Sequence, residues 1–556
     1  MTRHTRSLRM KRTTAALVAA AVAFVASCAQ TENSEEPEGT HLAFGYQVAD
    51  ELRTTNAGSL EGASTMAQAL SGSLYPGVYV PGPQGQMIPN TDLVRMQEIP
   101  GPVRRVNYTL SDRAVFSDGT PVTCSDYLLA FTAGTNPEIF GSHMPLFDDT
   151  AKLTCAPGSK EFTLIFKEGK GARWRGLFEA GTVLPAHAVA KQLQVPLDDL
   201  HQDLLSENVS DLQPIAEVWR QGFDLRNFNP ELQVSFGPYT VAKVGEQGEV
   251  TLRANDFYYG DAPQEPELVV WPGSADSARL AEGGGLIVGD LRDITPDWYD
   301  PNAEINRLTV ETVIGELTET LTFPEVGTWS SPENRGALSK CVDPRRVAEA
   351  SSAVSGIEVP VTPLHIVPHG DPMAKRLMGE AEPNLNVDIS RASALTGMEV
   401  RIAYAYPNER YAAMVESIRQ SCEPAGITII DVTGGGKTLA DLPRIEYGEW
   451  GQEVWTEGEV DVFLQPINPM REYPASTNRS QEIGLLREQE KTLWQELPSL
   501  PLSAQPATFA IDRNVSNVVP YTGLSGIGWN MNRWYINPSA GAVSYTHLTL
   551  PTIYSV

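Results

Sequence analysis

Apolar and polar positions divide the first forty residues into three stretches. Residues 1–12 carry five Arg and Lys side chains and no acid, residues 13–27 are mostly Ala and Val, and residues 29–40 are polar and acidic. A basic stretch followed by an apolar run of this length is typical of an export signal, and the run is too short to span a bilayer well as a permanent helix. We predict a signal peptide over residues 1–27, an acidic tether over residues 28–40 and a globular part from about residue 41.

Strand and helix patterns begin beyond the tether. Residues 107–110 alternate as in a strand, and Asp118-Gly119 is a turn signal. Thr123 or Ser125 can cap the helix that follows. This segment therefore predicts a surface hairpin that leads into a helix.

A strand-helix-strand unit is predicted further along the chain. Residues 400–404 and 427–431 have the composition of strands, and residues 409–422 between them suit a helix that Gly426 would end. Units of this kind are typical of α/β folds. About 500 residues follow the tether, which predicts three domain-sized units rather than one core.

The acidic charge restricts the class of partner. The formal net charge is −27, although five positive charges lie in the first twelve residues. A nucleic acid or an anionic membrane surface would need a basic patch, so both are excluded as partners of the globular part. A neutral or cationic ligand is compatible with this charge.

Motifs for catalysis are absent from the sequence. It contains no HExxH, no GxSxG and no Cys/His framework, so no nucleophile and base can be paired. His365 and His369 are four residues apart, but Pro363 and Pro368 oppose a regular helix that would bring them together on a metal. We predict no catalysis, no cofactor and no metal.

A Gly-rich stretch at residues 433–438 superficially suggests a phosphate-binding loop. A Walker A motif would need Gly at position 431, where this chain has Asp431, a carboxylate that would face the phosphate. We predict a flexible loop instead, in which Lys437 can still contact a ligand.

Several segments, in order, resemble the family 5 solute-binding proteins of bacterial ABC importers, which include oligopeptide, dipeptide and nickel binders. The resemblance is carried by the following residues: 106–131, 236–244, 250–260, 335–348, 498–502 and 529–534. It extends from about residue 41 to about residue 536. Residues 543–556 resemble instead the translation of a sequencing adaptor, and we exclude them from the fold.

The resemblance implies an α/β fold of the periplasmic-binding-protein type (type II, cluster C). Two lobes are joined by two crossovers, and an extra small α+β domain is inserted in lobe one. We expect lobe one at residues 41–75, 206–300 and 500–542, the small domain at residues 76–205, and lobe two at residues 301–499.

One of the five cysteines, Cys28, follows the apolar run of the signal, and the other four lie in the globular part. Val25-Ala26-Ser27-Cys28 resembles the lipobox of bacterial lipoproteins, which implies that Cys28 carries the lipid and anchors the chain to a membrane. The remaining residues are Cys124, Cys155, Cys341 and Cys422, and three pairings are open to them outside the cell. We favour Cys124 with Cys155 and Cys341 with Cys422, since each pair falls in one expected domain; four buried thiols are the alternative.

The ligand site is expected beyond a strand that starts at Asp461. In peptide binders of the family, an acidic residue about nine positions further on pairs with the ligand's α-amino group. Here the stretch offers Gln465, Asn468 and Arg471, and no carboxylate unless Glu472 substitutes with a shift of register. Gln and Asn suit amide or hydroxyl groups, and Arg suits a carboxylate.

Three further candidates follow the strand at residues 400–404. Tyr404, Tyr406 and Arg410 lie at the end of this strand and the start of the next helix. Ligands of open α/β sheets bind at such strand ends. Together with Lys437, they complete the set of ligand-binding residues that we predict.

The expected function is capture of an oligopeptide or peptide-like ligand by lobe closure. The chain would act as an extracellular, lipid-anchored monomer that delivers its ligand to a permease and its ATPase subunits. The first alternative keeps the fold but binds a metal chelate, a sugar or another non-peptide solute. Further alternatives are an extracellular hydrolase and a binding module without an importer.

Overall fold

The fold is taken from a computed structural model that describes residues 44–82, 85–206, 208–292, 296–303, 306–448 and 451–537. The signal peptide, the tether with Cys28, and residues 543–556 lie outside the described residues, so these predictions stay predictions. Among the described residues, no helix combines the length and the apolar composition that a membrane span requires.

Twenty strands occur in the described residues. They are β1 Phe44–Gln47, β2 Tyr79–Pro81, β3 Met87–Pro89, β4 Val94–Ile99, β5 Arg105–Leu110, β6 Thr150–Cys155, β7 Glu161–Phe166, β8 Tyr239–Val244, β9 Val250–Ala254, β10 Glu267–Trp271, β11 Val288–Leu291, β12 Leu308–Thr322, β13 Glu399–Ala403, β14 Thr428–Asp431, β15 Arg444–Tyr447, β16 Glu453–Thr456, β17 Val462–Ile467, β18 Ser499–Asp512, β19 Val515–Ser516 and β20 Tyr535–Ile536.

The same residues form fifteen α-helices. They are α1 Leu60–Ser64, α2 Gln68–Ser71, α3 Cys124–Thr135, α4 Pro137–Phe140, α5 Ala186–Leu193, α6 Leu197–Leu204, α7 Val209–Gln221, α8 Ser277–Glu282, α9 Pro332–Ser339, α10 Pro344–Ser355, α11 Ala374–Ala381, α12 Ile389–Ala392, α13 Glu409–Cys422, α14 Pro469–Glu472 and α15 Ile483–Glu496.

A mixed sheet of ten strands forms the frame of the molecule, in the order β14-β13-β17-β12-β18-β11-β1-β10-β9-β8. Strands β8 to β11 with β1 lie in the residues expected for lobe one, and β13, β14 and β17 lie in those expected for lobe two. The long antiparallel strands β12 and β18 run through both halves. Their pairing shifts register at two places, between Ile314 and Thr318 and between Glu319 and Thr320, so the connection between the lobes is irregular in this stretch.

The expected two-lobed α/β architecture is confirmed by this sheet and its two crossovers. A separate four-stranded sheet, β4-β5-β7-β6, lies within residues 76–205. It packs with α3, whose start is fixed by a capping box between Thr123 and Asp126. Burial raises the pKa of Asp126 to about 6, against the effect of the backbone N–H groups of Thr123 and Ala186, from which it accepts hydrogen bonds.

Each lobe has its own hydrophobic core. The first core extends from lobe one into the small sheet, and the second lies in lobe two around Trp329, Ile402 and Ile418. A disulfide joins Cys124 to Cys155 in the first region, and a disulfide joins Cys341 to Cys422 in the second. The two cores share no residue.

Candidate functional site

A cavity of about 90 Å³, which we call the chamber, lies where three parts of the chain meet. The segment of α1 and α2 contributes Met66 and Gln68, and the segments that flank the small sheet contribute His143 and Glu179. The end of β17 and helix α14 contribute residues 465–468 together with Arg471 and Glu472. Polar groups from both lobes therefore face the same space.

The lobe-two wall of the chamber is shaped by a tight strand-to-helix connection. Gln465 on β17 donates to Thr322 Oγ1 at 3.1 Å. Asn468 caps α14 through a hydrogen bond from the Met470 N–H at 3.0 Å, and Pro469 occupies the first helical position. This turn brings Arg471 and Glu472 to the chamber wall.

Two ion pairs cross the chamber between the lobes. Arg471 Nε lies 3.0 Å from Glu179 Oε1, and His143 Nε2 lies 2.9 Å from Glu472 Oε2. Burial opposes the charged imidazolium, but the Glu472 carboxylate outweighs it and raises the pKa of His143. All four side chains are less than a third exposed, so solvent only partly screens these pairs.

Arg173 fastens the small-sheet region to lobe two. Its Nη1 donates to the carbonyl oxygens of Pro469 at 2.8 Å and Tyr473 at 2.6 Å, and its Nη2 donates to the carbonyl of Ile366. Burial lowers the pKa of Arg173 to about 10, which leaves it charged at neutral pH. Together with the two ion pairs, these bonds join the small-sheet region to residues 366–473.

The irregular stretch in the pairing of β12 with β18 lies near the chamber. Glu316, inside the irregular stretch of β12, donates its backbone N–H to Thr522 Oγ1 at 3.1 Å. Burial raises the pKa of the Glu316 carboxyl, and Tyr521 and Arg471 moderate the rise. Glu316 in the connection between the lobes is thus close enough to Arg471 of the chamber for their charges to interact.

A larger cavity of about 1380 Å³, which we call the groove, adjoins the chamber. His143, Met144, Pro145 and Glu472 line both spaces. Other parts of the groove wall come from α4, α7 and residues 322–326 and 438–446, among other segments. A ligand larger than the chamber could therefore extend into the groove.

The predicted residues divide between the chamber and other places. Gln465, Asn468 and Arg471 line the chamber, whereas Tyr404, Tyr406, Arg410 and Lys437 line neither cavity. The Tyr404 hydroxyl donates to Asp431 at 3.0 Å, Arg292 lies 4.2 Å above the Tyr406 ring, and Lys437 forms an ion pair with Glu459. We therefore leave these four residues out of the proposed site.

Arg410 is the clearest difference from the prediction. Its side chain has no exposed surface, and its Nη1 donates to Glu319 Oε2 at 2.8 Å and to Ser351 Oγ at 2.9 Å. Nη2 donates to the other Glu319 oxygen. Arg410 is thus a structural residue that ties α13 to the crossover strand β12.

The Gly-rich loop and the histidine pair also have structural surroundings. A Cβ at Gly436, whose φ is +103°, would lie 2.4 Å from the Ala405 carbonyl, so this loop packs against the end of β13. His365 is buried and bonded to Glu490. Within the described residues, no group of three His, Cys, Asp or Glu side chains could hold a metal ion.

Sequence reasoning missed His143, Arg173 and Glu179. Each contacts a residue that lies far away along the chain, as the separations of 329 positions between His143 and Glu472 and of 300 positions between Arg173 and Tyr473 show. No local pattern marks such residues, because their role depends on how the lobes approach one another.

Comparison with known proteins agrees with the fold and the resemblance. The family model of the bacterial extracellular solute-binding proteins, family 5 middle, matches residues 98–477. An uncharacterized lipoprotein of Mycobacterium tuberculosis (strain ATCC 25618 / H37Rv) is 28% identical over 592 residues, which cover 96% of this chain and 98% of the relative.

Two solved structures show the same fold. An oligopeptide-binding protein from Thermus thermophilus, complexed with a pentapeptide, has a TM-score of 0.63 at 13% identity and covers 90% of this chain and 98% of its own. The PBP AgaA from A. tumefaciens R10, in complex with agropinic acid, has a TM-score of 0.62 at 16% identity. The match covers 89% of this chain and 98% of AgaA. The chain belongs to the bacterial extracellular solute-binding proteins of family 5, the ligand-binding components of ABC importers.

Proposed function

We propose that this chain captures a peptide-like ligand outside the cell and delivers it to the permease and ATPase subunits of an ABC importer. The chamber carries the proposal, since Gln465, Asn468 and Arg471 face His143 and Glu179 across the gap between the lobes. Amide groups suit the backbone of a peptide, and the guanidinium suits a carboxylate. The adjoining groove leaves room for a ligand of several residues.

Lobe closure supplies the signal for delivery in this proposal. A ligand that contacts both walls of the chamber stabilises the closed arrangement relative to the open one. The bulge between Ile314 and Thr318 is a suitable hinge, because only β12 and β18 link the lobes of the described sheet there. The permease would recognise the closed form.

The lipid anchor is part of the proposal. The M. tuberculosis relative is named a lipoprotein, and Cys28 of this chain follows three small or apolar residues at the end of an apolar run. We expect Cys28→Ser to release the full-length protein from the membrane fraction of its own cells. A lipid-bearing, membrane-bound Cys28→Ser protein would contradict the proposed anchor.

Native mass spectrometry of protein purified from its own cells tests the ligand. We expect a co-purified mass that fragments as a peptide and is lost from a Gln465→Ala/Arg471→Ala variant, with Lys243→Ala on the exposed face of lobe one as the control. A co-purified non-peptide mass would refute the peptide ligand. If the ligand is recovered in a chemically altered form after incubation with the protein, the extracellular hydrolase would be favoured instead.

A non-peptide solute is the second candidate. Its support is the absence of an acid at the position expected for an amine-binding residue, where the chain offers Asn468, Met470 and Arg471. The two solved neighbours hold a pentapeptide and agropinic acid, so the fold alone does not select the ligand class. The same mass-spectrometric experiment separates the two candidates.

A further inference from the structure

The charged side chains of the chamber neutralise one another. Arg471 is paired with Glu179 and His143 is paired with Glu472, at 3.0 and 2.9 Å. Among the described residues, no other charged side chain lines this cavity. A carboxylate that entered the chamber would therefore meet no uncompensated cation, and burial of an unpaired charge is costly.

The charges just outside the chamber do not alter this balance. Arg173 and Glu316 both interact with Arg471, and their charges are opposite. Arg173 is also bonded already to three carbonyl oxygens. Two acidic residues of the groove, Asp148 and Glu325, interact with the imidazole of the chamber and add only negative charge. The surroundings therefore do not favour an anion in the chamber.

Hydrogen-bonding capacity remains on three side chains of the lobe-two wall. Gln465 is only 3% exposed; its Nε2 donates to Thr322, and its Oε1 accepts no hydrogen bond from the described residues. Asn468 accepts from Met470 through Oδ1, and its Nδ2 donates to no described residue. Within the same described part of the chain, the Nη1 and Nη2 atoms of Arg471 donate no hydrogen bond either. The wall thus presents one buried acceptor together with several donors.

We propose that the part of the ligand that enters the chamber is an uncharged primary carboxamide rather than a carboxylate. Its carbonyl oxygen would accept hydrogen bonds from Arg471 and Asn468, and its N–H group would donate to Gln465 Oε1. This inference rests on the proposed capture function and refines the role of Arg471 in it. A carboxylate has no hydrogen to donate, so it would leave the Gln465 oxygen unpaired and would add a charge that no cation compensates.

The size of the chamber agrees with one small terminal group. Its volume of about 90 Å³ equals the share of roughly three molecules in liquid water. The groove of about 1380 Å³ adjoins it and has room for the remainder of the ligand. The carboxamide would therefore lie at the end of the ligand or at the end of one of its side chains.

Three peptides that differ in one group test the inference: acetyl-Ala-Ala-Ala-amide, the methyl ester of acetyl-Ala-Ala-Ala, and its free acid. The ester is uncharged like the amide, but its terminal group has no N–H to donate. In titration calorimetry at pH 7.5 we expect the amide to bind at least about tenfold more tightly than the ester and the acid.

The outcomes separate the inference from the capture function. An acid or an ester that binds as tightly as the amide would overturn the carboxamide and leave the capture function standing. No binding by any of the three peptides at millimolar concentration would overturn the peptide-like ligand, and the inference with it.

Glu179→Gln tests the charge balance. Without the Glu179 carboxylate, the charge of Arg471 is available to an anion, so we expect the acid to bind about tenfold more tightly than it binds to the unaltered protein. Binding of the amide should stay within about threefold, because its charge is zero. Glu416→Gln removes an acid from an ion pair with Arg419 on α13 and is the matched control, which should change neither affinity. Unchanged or weaker binding of the acid by folded Glu179→Gln protein would overturn the argument from charge.

Gln465→Met tests the acceptor independently of charge. The two side chains are similar in size, but methionine offers no comparable acceptor. We expect this variant to weaken binding of the amide about tenfold and to leave the ester within about twofold. Melting curves establish that each variant is folded. An equal loss for both peptides, or no loss for either, would overturn the hydrogen bond to Gln465.

Discussion

Arg410→Met should destabilise lobe two rather than weaken ligand binding directly. The Arg410 and Glu319 side chains have no exposed surface, and the guanidinium holds both carboxylate oxygens. Ser503 also donates to Glu319 Oε2, at 3.1 Å. Removal of one partner from a buried ion pair typically costs about 3–5 kcal/mol, because the other charge stays buried without its counterion. That loss would be a large part of the stability of an ordinary domain.

Urea unfolding, monitored by tryptophan fluorescence and by hydrogen exchange of α13, measures this loss. We expect a smaller destabilisation at pH 4.5 than at pH 7.5, because a carboxyl group that takes up a proton no longer leaves a buried charge. Replacement of both partners, Arg410→Met with Glu319→Leu, should recover much of the stability.

The opposite pattern would refute this reasoning. If Arg410 contacted the ligand, Arg410→Met would reduce affinity while stability at neutral pH stayed near that of the unaltered protein. A destabilisation that is the same at both pH values, without recovery in the double variant, would show that lost packing and not a stranded charge is responsible.

Three further predictions concern stability. Urea unfolding should show that Cys341→Ser/Cys422→Ser lowers the free energy of unfolding by roughly 4.5 kcal/mol, and that Cys124→Ser/Cys155→Ser lowers it by roughly 3.7 kcal/mol. The first disulfide closes the longer loop, with a sequence separation of 81 against 31 for the second. Equal losses would contradict the loop-closure argument. His143→Gln should destabilise the protein more at pH 6 than at pH 8.5 in thermal melting. The pKa of His143 is raised, so its ion pair with Glu472 stabilises the protein fully below the ordinary histidine pKa, and this stabilisation is lost as the pH rises through the raised pKa. A larger loss of stability at pH 8.5 would contradict this reasoning. Glu490→Gln should lower the free energy of unfolding by about 1–3 kcal/mol, because the Glu490 carboxylate accepts hydrogen bonds from the backbone N–H groups of His365 and Ile366. Addition of EDTA should leave the melting temperature of the unaltered protein unchanged. A lower melting temperature with EDTA would favour a metal at His365 and His369.

Local elements of the fold could be predicted from the sequence. The helix at residues 409–422 has the predicted bounds, and Asn408 caps it while Gly426 adopts a positive φ after it. The strand at residues 105–110 and the Thr123 cap are confirmed as well. Signals of this kind are carried by a few neighbouring residues, so they do not depend on the rest of the chain.

The partners of charged side chains could not be predicted in the same way. Arg410 begins α13 at a position that is also typical of a ligand contact, and its partner Glu319 is 91 residues away in β12. One signal was available, since Glu319 lies between Thr318 and Thr320 in a strand and a buried acid needs a counterion. Which of the 42 Lys and Arg residues supplies it is decided only by the packing of α13 on the sheet.

The chamber shows the same division between local and long-range information. The sequence indicated the segment after β17 and left open whether Glu472 replaces the missing acid. Glu472 lies one helical turn beyond Asn468 and does line the chamber, but it is bonded to His143.

A ligand amine at Glu472 would have to displace the His143 imidazole, so one interlobe contact would be exchanged for another. The net gain from that exchange is small whenever His143 is protonated, because a cation already occupies the position.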